Sequence, residues 1–346
     1  MSFLERFGGW KMNGKRWAAL GIAAFLFTFS IFINFLTSFA FKNVETSFTQ
    51  LLGSSANFTE EVIESGNDLK KIAVLDVNGT IQDTGDATSL FSSDGYNHQN
   101  FMKMLNQVKE DSTIKGVIIK VNSPGGTVVE SAQIHDKIKQ IQAETKKPVY
   151  ISMGTMAASG GYYISAPANK IFASPETLTG SLGVIMQSIN YAGLAEKYGV
   201  DFVTIKSGPY KDIMSPTREM TEDERKILQS MIDNSYEGFV KVISEGRNMP
   251  VEKVKEIADG RVYDGRQAKE VNLIDEFGYT EDVIKAMKKD HNLAGAKVIK
   301  YTDSLGISSM FKVSAQKMVG ANVEMDSLIK LLSQPNSPRL MYLYAE

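Results

Sequence analysis

The chain of 346 residues can hold one large or two ordinary domains, and its 38 Lys and Arg against 40 Asp and Glu, with no basic stripe, exclude a nucleic-acid partner. The absence of cysteine removes disulfides, thiolate nucleophiles and cysteine zinc sites, and suits an exported chain. Its three histidines, His98, His135 and His291, stand apart from one another and from any H-E-x-x-H pattern, so neither a metal nor another cofactor is expected.

In chain order, the first signal is residues 17–41, Trp17 to Phe41, which carry no charge and can cross about 30 Å of hydrocarbon as one transmembrane helix. Arg6, Lys11, Lys15 and Arg16 precede it against the single acid Glu5, which places the tail 1–16 in the cytoplasm and the bulk of the chain outside. A cleaved signal peptide is the competing reading, because Ser38-Phe39-Ala40 resembles a small-x-small site. The apolar stretch exceeds the usual h-region of about 7 to 15 residues, which favours a retained anchor. Residues 42–70 are polar and aperiodic and read as a stalk with room for a short helix.

From Ile72 onward, β-rich runs (IAVLDV, GVIIKV, PVYISM, KIFAS, DFVTIK) alternate with helical patterns (FMKMLNQVKED, SAQIHDKIKQIQAE, YAGLAEKYG). That alternation predicts an α/β domain over 71–295 with βα units and a buried, largely parallel sheet. Thr221-x-x-Glu224 forms a capping box for a long helix to about Glu245, whose Ile227, Leu228, Met231, Ile232, Phe239 and Ile243 suit a core or a subunit interface. GRVYDGRQAKEVNLIDEFGYTEDVIKAMKK adds a small β/turn element and a last helix, and KVIKYTD is a candidate final strand. The extension 296–346 ends in LMYLYAE, an apolar, aromatic tail that is not expected to sit free in water.

Three strand-to-turn junctions share one chemistry. In Asn122-Ser123-Pro124-Gly125-Gly126 the paired glycines allow a sharp turn and an exposed amide, so Gly126 can donate to an oxyanion. Ser159-Gly160-Gly161 places a hydroxyl and the Gly160 amide at a helix start, which suits a nucleophile and its oxyanion donor. Lys206-Ser207-Gly208-Pro209-Tyr210-Lys211 puts a lysine on a loop at the same kind of sheet edge. Each has a plain structural reading as well: a tight turn, an N-cap and a solvated surface charge. With no histidine placed beside the serine, a lysine base is the arrangement this sequence supports, and that lysine must be neutral to accept a proton.

The ordered set VNSPGG, MAASGGYYISAPA, TGSLGV, SGPYKD and GRVYDGRQAKEVNLIDEFG resembles the signal peptide peptidase A family of serine peptidases over roughly Ile72 to Lys289. The resemblance implies a spiral of ββα units like that of the Clp protease and crotonases, with 71–295 as the peptidase domain. It implies Ser159 as nucleophile, Lys211 as general base, Ser181 as the group that orients the lysine amine, and the Gly126 and Gly160 amides as oxyanion hole. Members of about twice this length hold two such units, whereas this chain has one copy, so the resemblance further implies a homo-oligomeric ring in which Ser159 pairs with Lys211 of a neighbour. The expected activity is cleavage of remnant signal peptides and other short apolar peptides at the outer side of the cell membrane, bound as an added strand. A further hypothesis places the C-terminal tail in that groove, trimmed by the enzyme itself. The rival readings are a membrane-tethered scaffold of the same fold that has lost catalysis, and a crotonase-type acyl-CoA enzyme, which leaves the serine and lysine without a purpose.

Overall fold

The computed structural model describes residues 27–29, 58–83, 96–303 and 340–344, and divides into two units, 1–57 and 58–346. In the first unit residues 27–29 are helical; the rest of the transmembrane helix expected at 17–41 lies outside the described residues. No described helix is long and apolar enough to cross a membrane.

The second unit begins with β1 (Phe58–Glu64) and β2 (Asn67–Asn78), followed by α1 (His98–Glu110), whose Asn97 cap accepts the Asn100 amide at 2.9 Å. Next come β3 (Ile114–Ser123), the short β4 (Gly125–Thr127), α2 (Val128–Thr145), β5 (Val149–Ala158), α3 (Gly160–Ser165), β6 (Lys170–Ala173) and β7 (Leu178–Gly180). The chain continues through α4 (Ala192–Lys197), the long α5 (Glu222–Arg247), α6 (Val251–Ile257), β8 (Val262–Tyr263), α7 (Gly265–Glu270), β9 (Glu276–Phe277), α8 (Thr280–Asp290), β10 (Ala296–Asp303) and β11 (Met341–Leu343). Among the described residues the main sheet has nine strands, ordered β1-β10-β2-β3-β5-β6-β9 with β7 beside β5 and β8 beside β7. From β10 to β9 neighbours run parallel, while β1 on β10 and β8 on β7 are antiparallel, so the sheet is mixed.

The near-continuous apolar runs of the central strands follow from burial on both faces. Successive side chains leave a strand on opposite sides. Ile72, Val74, Ile118 and Tyr150 therefore meet Val283, Ile284 and Met287 of α8. Their chain neighbours Ala73, Leu75, Val117, Ile119 and Ile151 join Leu105 of α1, Ile138 of α2, Ile164 of α3 and Phe239 of α5.

Three sequence expectations change. The sheet starts at Phe58, inside the segment assigned to a stalk, and β10 carries it past the expected domain end at 295. β1 escaped notice because it is an edge strand: only Phe58 is buried, and Val62 and Ile63 are exposed, so no alternation survives. The strand expected at DFVTIK does not form: 201–206 has no strand pairing, and Val203 and Ile205 are 90% and 97% exposed. No described strand lies beside it to complete a ladder. In α5, Phe239 and Ile243 are buried but Ile227 and Met231 are exposed, so its fully buried apolar side chains lie in its C-terminal half.

Candidate active site

Adjacent parallel strands β3 and β5 end side by side, with Ser123 opposite Ala157, and their two turns meet. Ser159 joins β5 to α3 with φ 52° and ψ −114°, close to the first central position of a type II′ turn, a conformation that is strained for any residue with a β-carbon. Its amide donates to the Gly180 carbonyl at 2.8 Å. Its side chain caps nothing: Ser159 is 1% exposed, and its Oγ is buried without a hydrogen-bond partner among the described residues. Such a hydroxyl is destabilising by roughly 1–3 kcal/mol, a cost that calls for a functional reason.

The glycines around Ser159 are required by crowding. Gly125 has φ +106°, and a β-carbon there would overlap the Tyr342 carbonyl oxygen and stand 2.7 Å from the Gly160 nitrogen. A β-carbon on Gly160 would stand 2.8 Å from Ser131 Oγ, 3.0 Å from the Gly126 nitrogen and 3.1 Å from the Tyr342 oxygen. The Gly126 and Gly160 nitrogens thus crowd the turn that carries Ser159, with the carbonyl oxygen of Tyr342 from the C-terminal tail close by. Ser181 adjoins the same turn, 9% exposed and with φ 49°; its amide donates to the Arg261 carbonyl at 2.7 Å.

Lys211 is elsewhere on the surface of the chain. It is exposed on the loop after 201–206, its amide donates to the Gly208 carbonyl at 3.3 Å, and its amine has no partner among the described residues. Ser159 and Lys211 are therefore not hydrogen-bonded within one chain. The arm leading to the lysine is apolar and uncovered, with Ile189, Leu194 and Tyr198 exposed as well as Val203 and Ile205.

Sequence reasoning flagged the tail as anomalous but missed its pocket. β11 pairs antiparallel with β4, Tyr342 opposite Gly126, and on its other edge Met341 and Ile185 exchange both backbone hydrogen bonds, at 3.0 and 3.1 Å. The Leu340 carbonyl accepts from Val128 at 3.3 Å and the Tyr344 amide donates to Pro124 at 2.9 Å, so the tail is held as an inserted strand. The Tyr342 ring is 2% exposed, with centroids 4.8 Å from Tyr163 and 4.7 Å from Phe239, and its hydroxyl donates to the Ser235 carbonyl at 3.0 Å. Burial pushes both phenols up, Tyr163 to about 12, so they remain neutral donors. Beyond Tyr342 a cleft of about 550 Å³ is lined by Ser181, Leu182, Ile185, Ile232, Tyr236 and Leu343. From its place on the long helix Phe239 is expected in a core or a subunit interface; only tertiary contact distinguishes a pocket wall from core.

The model for Peptidase family S49 matches residues 141–294, and that for Clp protease matches residues 92–179. A protein of Enterococcus faecium named for signal peptide peptidase SppA is 42% identical over 343 residues, covering 96% of this chain and 99% of the relative. Protease 4 of Haemophilus influenzae is 32% identical over 302 residues, 82% of this chain but 48% of that protein. Serine protease SPPA, chloroplastic, of Arabidopsis thaliana is 36% identical over 196 residues, 56% of this chain and 29% of that protein. The α/β fold with its mixed sheet is Clp protease-like.

Proposed function

This chain belongs to peptidase family S49 and is a serine peptidase, and from that premise we propose that it cleaves extended apolar peptides with Ser159 of one subunit and Lys211 of the next. The observation that carries this reading is the tail: a peptide strand is paired with Gly126, its Tyr342 carbonyl oxygen close to the turn that carries Ser159, whose hydroxyl has no partner among the described residues. A substrate bound in the same way presents its scissile carbonyl where Tyr342 presents its own.

The proposed chemistry uses only this chain's groups. The neutral Lys211 amine takes the Ser159 proton as Oγ attacks the carbonyl carbon, and the Gly126 and Gly160 amides donate to the oxyanion. The lysine, now an ammonium held by Ser181, gives its proton to the leaving amine, and an acyl-enzyme remains. The same amine then deprotonates a water that adds to the ester, and Ser159 leaves with its proton restored. In one isolated chain the lysine is exposed. Burial against a neighbour disfavours the charged amine, so assembly is part of the base's activation.

Substrate class follows from the groove. Pairing with β4 and Ile185 recognises main chain, and the Tyr163–Phe239 pocket takes a large apolar or aromatic side chain on the acyl side of the bond. Remnant signal peptides have that character. The uncharged stretch 17–41 supports a single-pass anchor with the peptidase domain outside the cytoplasm. In the decisive experiment, Ser159→Ala and Lys211→Ala chains, each inactive alone, are mixed during assembly. Partial recovery of apolar peptide hydrolysis is expected, and none in verified mixed rings would place both groups in one subunit.

A further inference from the structure

The loop that bears Lys211 is fastened at one point. Arg218 Nε and Nη2 donate to the two carboxylate oxygens of Asp212 at 2.8 and 2.7 Å, and Nη2 also reaches the Asp212 carbonyl at 3.0 Å. On its far side Nη1 donates to Glu224 at 2.9 Å and to the Glu219 carbonyl at 2.9 Å. Glu224 is 1% exposed and fixed in turn by the capping box at the start of α5, where it accepts the Thr221 amide at 2.9 Å. Every guanidinium N–H therefore has an acceptor, and the chain runs Lys211, Asp212, Arg218, Glu224, helix. Two further bonds tie the arm's root to the same point: Asn190 to the Arg218 carbonyl at 2.9 Å and Tyr191 to the Pro216 carbonyl at 2.8 Å.

The same contacts occupy the carboxylate next to the lysine. Asp212 is engaged by Arg218 and by Lys206, whose amine lies 2.6 Å away, while Lys211 has no partner among the described residues. A free Asp212 would be an ion-pair partner for its chain neighbour and would hold the amine in its charged, inactive form.

We infer that Arg218 is a positioning residue for catalysis: it locks Asp212 onto α5, which fixes the Lys211 loop for presentation to a neighbouring Ser159 and keeps Asp212 from capturing the lysine. The inference rests on Lys211 being the base. A fork of five donors suits this role and a lysine does not, because one ammonium cannot hold both carboxylates in fixed planes.

The test uses the full-length, detergent-solubilised assembly carrying Arg218→Ala, Arg218→Lys, Asp212→Asn or Lys211→Ala, with assembly mass, kcat and KM for an apolar peptide measured on each. Arg218→Ala is expected to keep the wild-type mass and a KM within about threefold while kcat falls about 100-fold, the usual effect of a misplaced reacting group. Arg218→Lys is expected to recover little, whereas guanidinium added to the solution restores part of kcat to Arg218→Ala and none to Lys211→Ala. Wild-type kcat in assembled Arg218→Ala, with Lys211→Ala inactive, overturns the inference, and so does a loss confined to KM. Should Arg218→Ala fail to assemble, Asp212→Asn decides, since it leaves the Arg218–Glu224 pair intact: a wild-type kcat there overturns it equally. Full activity in Lys211→Ala would instead remove the base assignment on which the inference stands.

Discussion

Replacing Tyr342 with alanine tests whether the tail competes with substrate. The side chain is 2% exposed between Tyr163 and Phe239, so the substitution empties an aromatic pocket. A buried tyrosine covers roughly 150–250 Å², and at about 25 cal/mol per Å² this gives an upper bound of about 4–6 kcal/mol. The tail also loses freedom on docking and Ala keeps one carbon, so about 3 kcal/mol is the working figure, close to the low end for large-to-small core changes. That is about a 100-fold shift toward the undocked tail. The backbone ladder to β4 and Ile185 is untouched, so the change isolates the ring. Hydrogen exchange at the Met341 and Tyr344 amides, which donate to Ile185 and Pro124, reads the docking. Hydrolysis of an external apolar peptide reads competition. Protection should fall by about two orders of magnitude and the apparent KM should drop with it at constant kcat, since a competitor lost in cis leaves the chemistry unchanged. Tyr342→Phe, which loses only the bond to Ser235, should shift both by about fivefold, for about 1 kcal/mol. Lost protection with an unchanged KM would show that the tail does not lie where substrate binds, and the groove argument would fall with it.

Gly125→Ala should abolish turnover and lower the melting temperature, because φ +106° is strained for alanine, by about 1–3 kcal/mol, and the methyl would enter the space between the Tyr342 carbonyl and the Gly160 nitrogen. Phe239→Ala should redirect cleavage toward bulkier side chains, read by peptide-library profiling, and an unchanged profile would remove Phe239 from the pocket. Glu224 supplies a pH test: the Arg218 guanidinium, helped by the Thr221 amide, holds its carboxyl at about 2, below the ordinary 4.5. A depressed carboxylate contributes stability that is present above the unfolded value and lost as pH falls through the folded one. Glu224→Gln should therefore unfold at lower urea than wild type near pH 6, with the gap closing between about pH 4.5 and 2. A gap independent of pH would mean that packing, not charge, sets the difference.

How much of this was legible in the sequence depended on whether local chemistry or tertiary contact fixed the feature. β3 and β5 announced themselves because both faces are buried, and the turn after β3 because glycine marks it, at Gly125 with a φ of +106° that only glycine adopts without strain. The capping box at Thr221 and Glu224 forms as its spacing predicts. β1 gave no signal, since an edge strand with a single buried residue has no period to display. DFVTIK has every local mark of a strand, and local marks cannot state whether a partner edge exists. The Tyr342 pocket joins residues far apart in sequence, Tyr163 from α3, Phe239 from α5 and the tail, and no window of sequence contains that fact.

The arm shows what such a failed strand means energetically. Val203 and Ile205 stand almost wholly in water, and Ile189, Leu194 and Tyr198 are exposed beside them, on a chain whose central strands bury nearly every apolar group. Covering five such side chains is favourable by about 1.5–3 kcal/mol each, on the order of 10 kcal/mol together. Docking two bodies costs about 4–15 kcal/mol, so one arm contact is close to break-even. In the proposed closed ring each chain both gives an arm and receives one, and the last contact forms without a further loss of free translation. The exposed arm, marginal alone, would then be held in the proposed ring, where Lys211 beyond it would be brought to the serine of a neighbour.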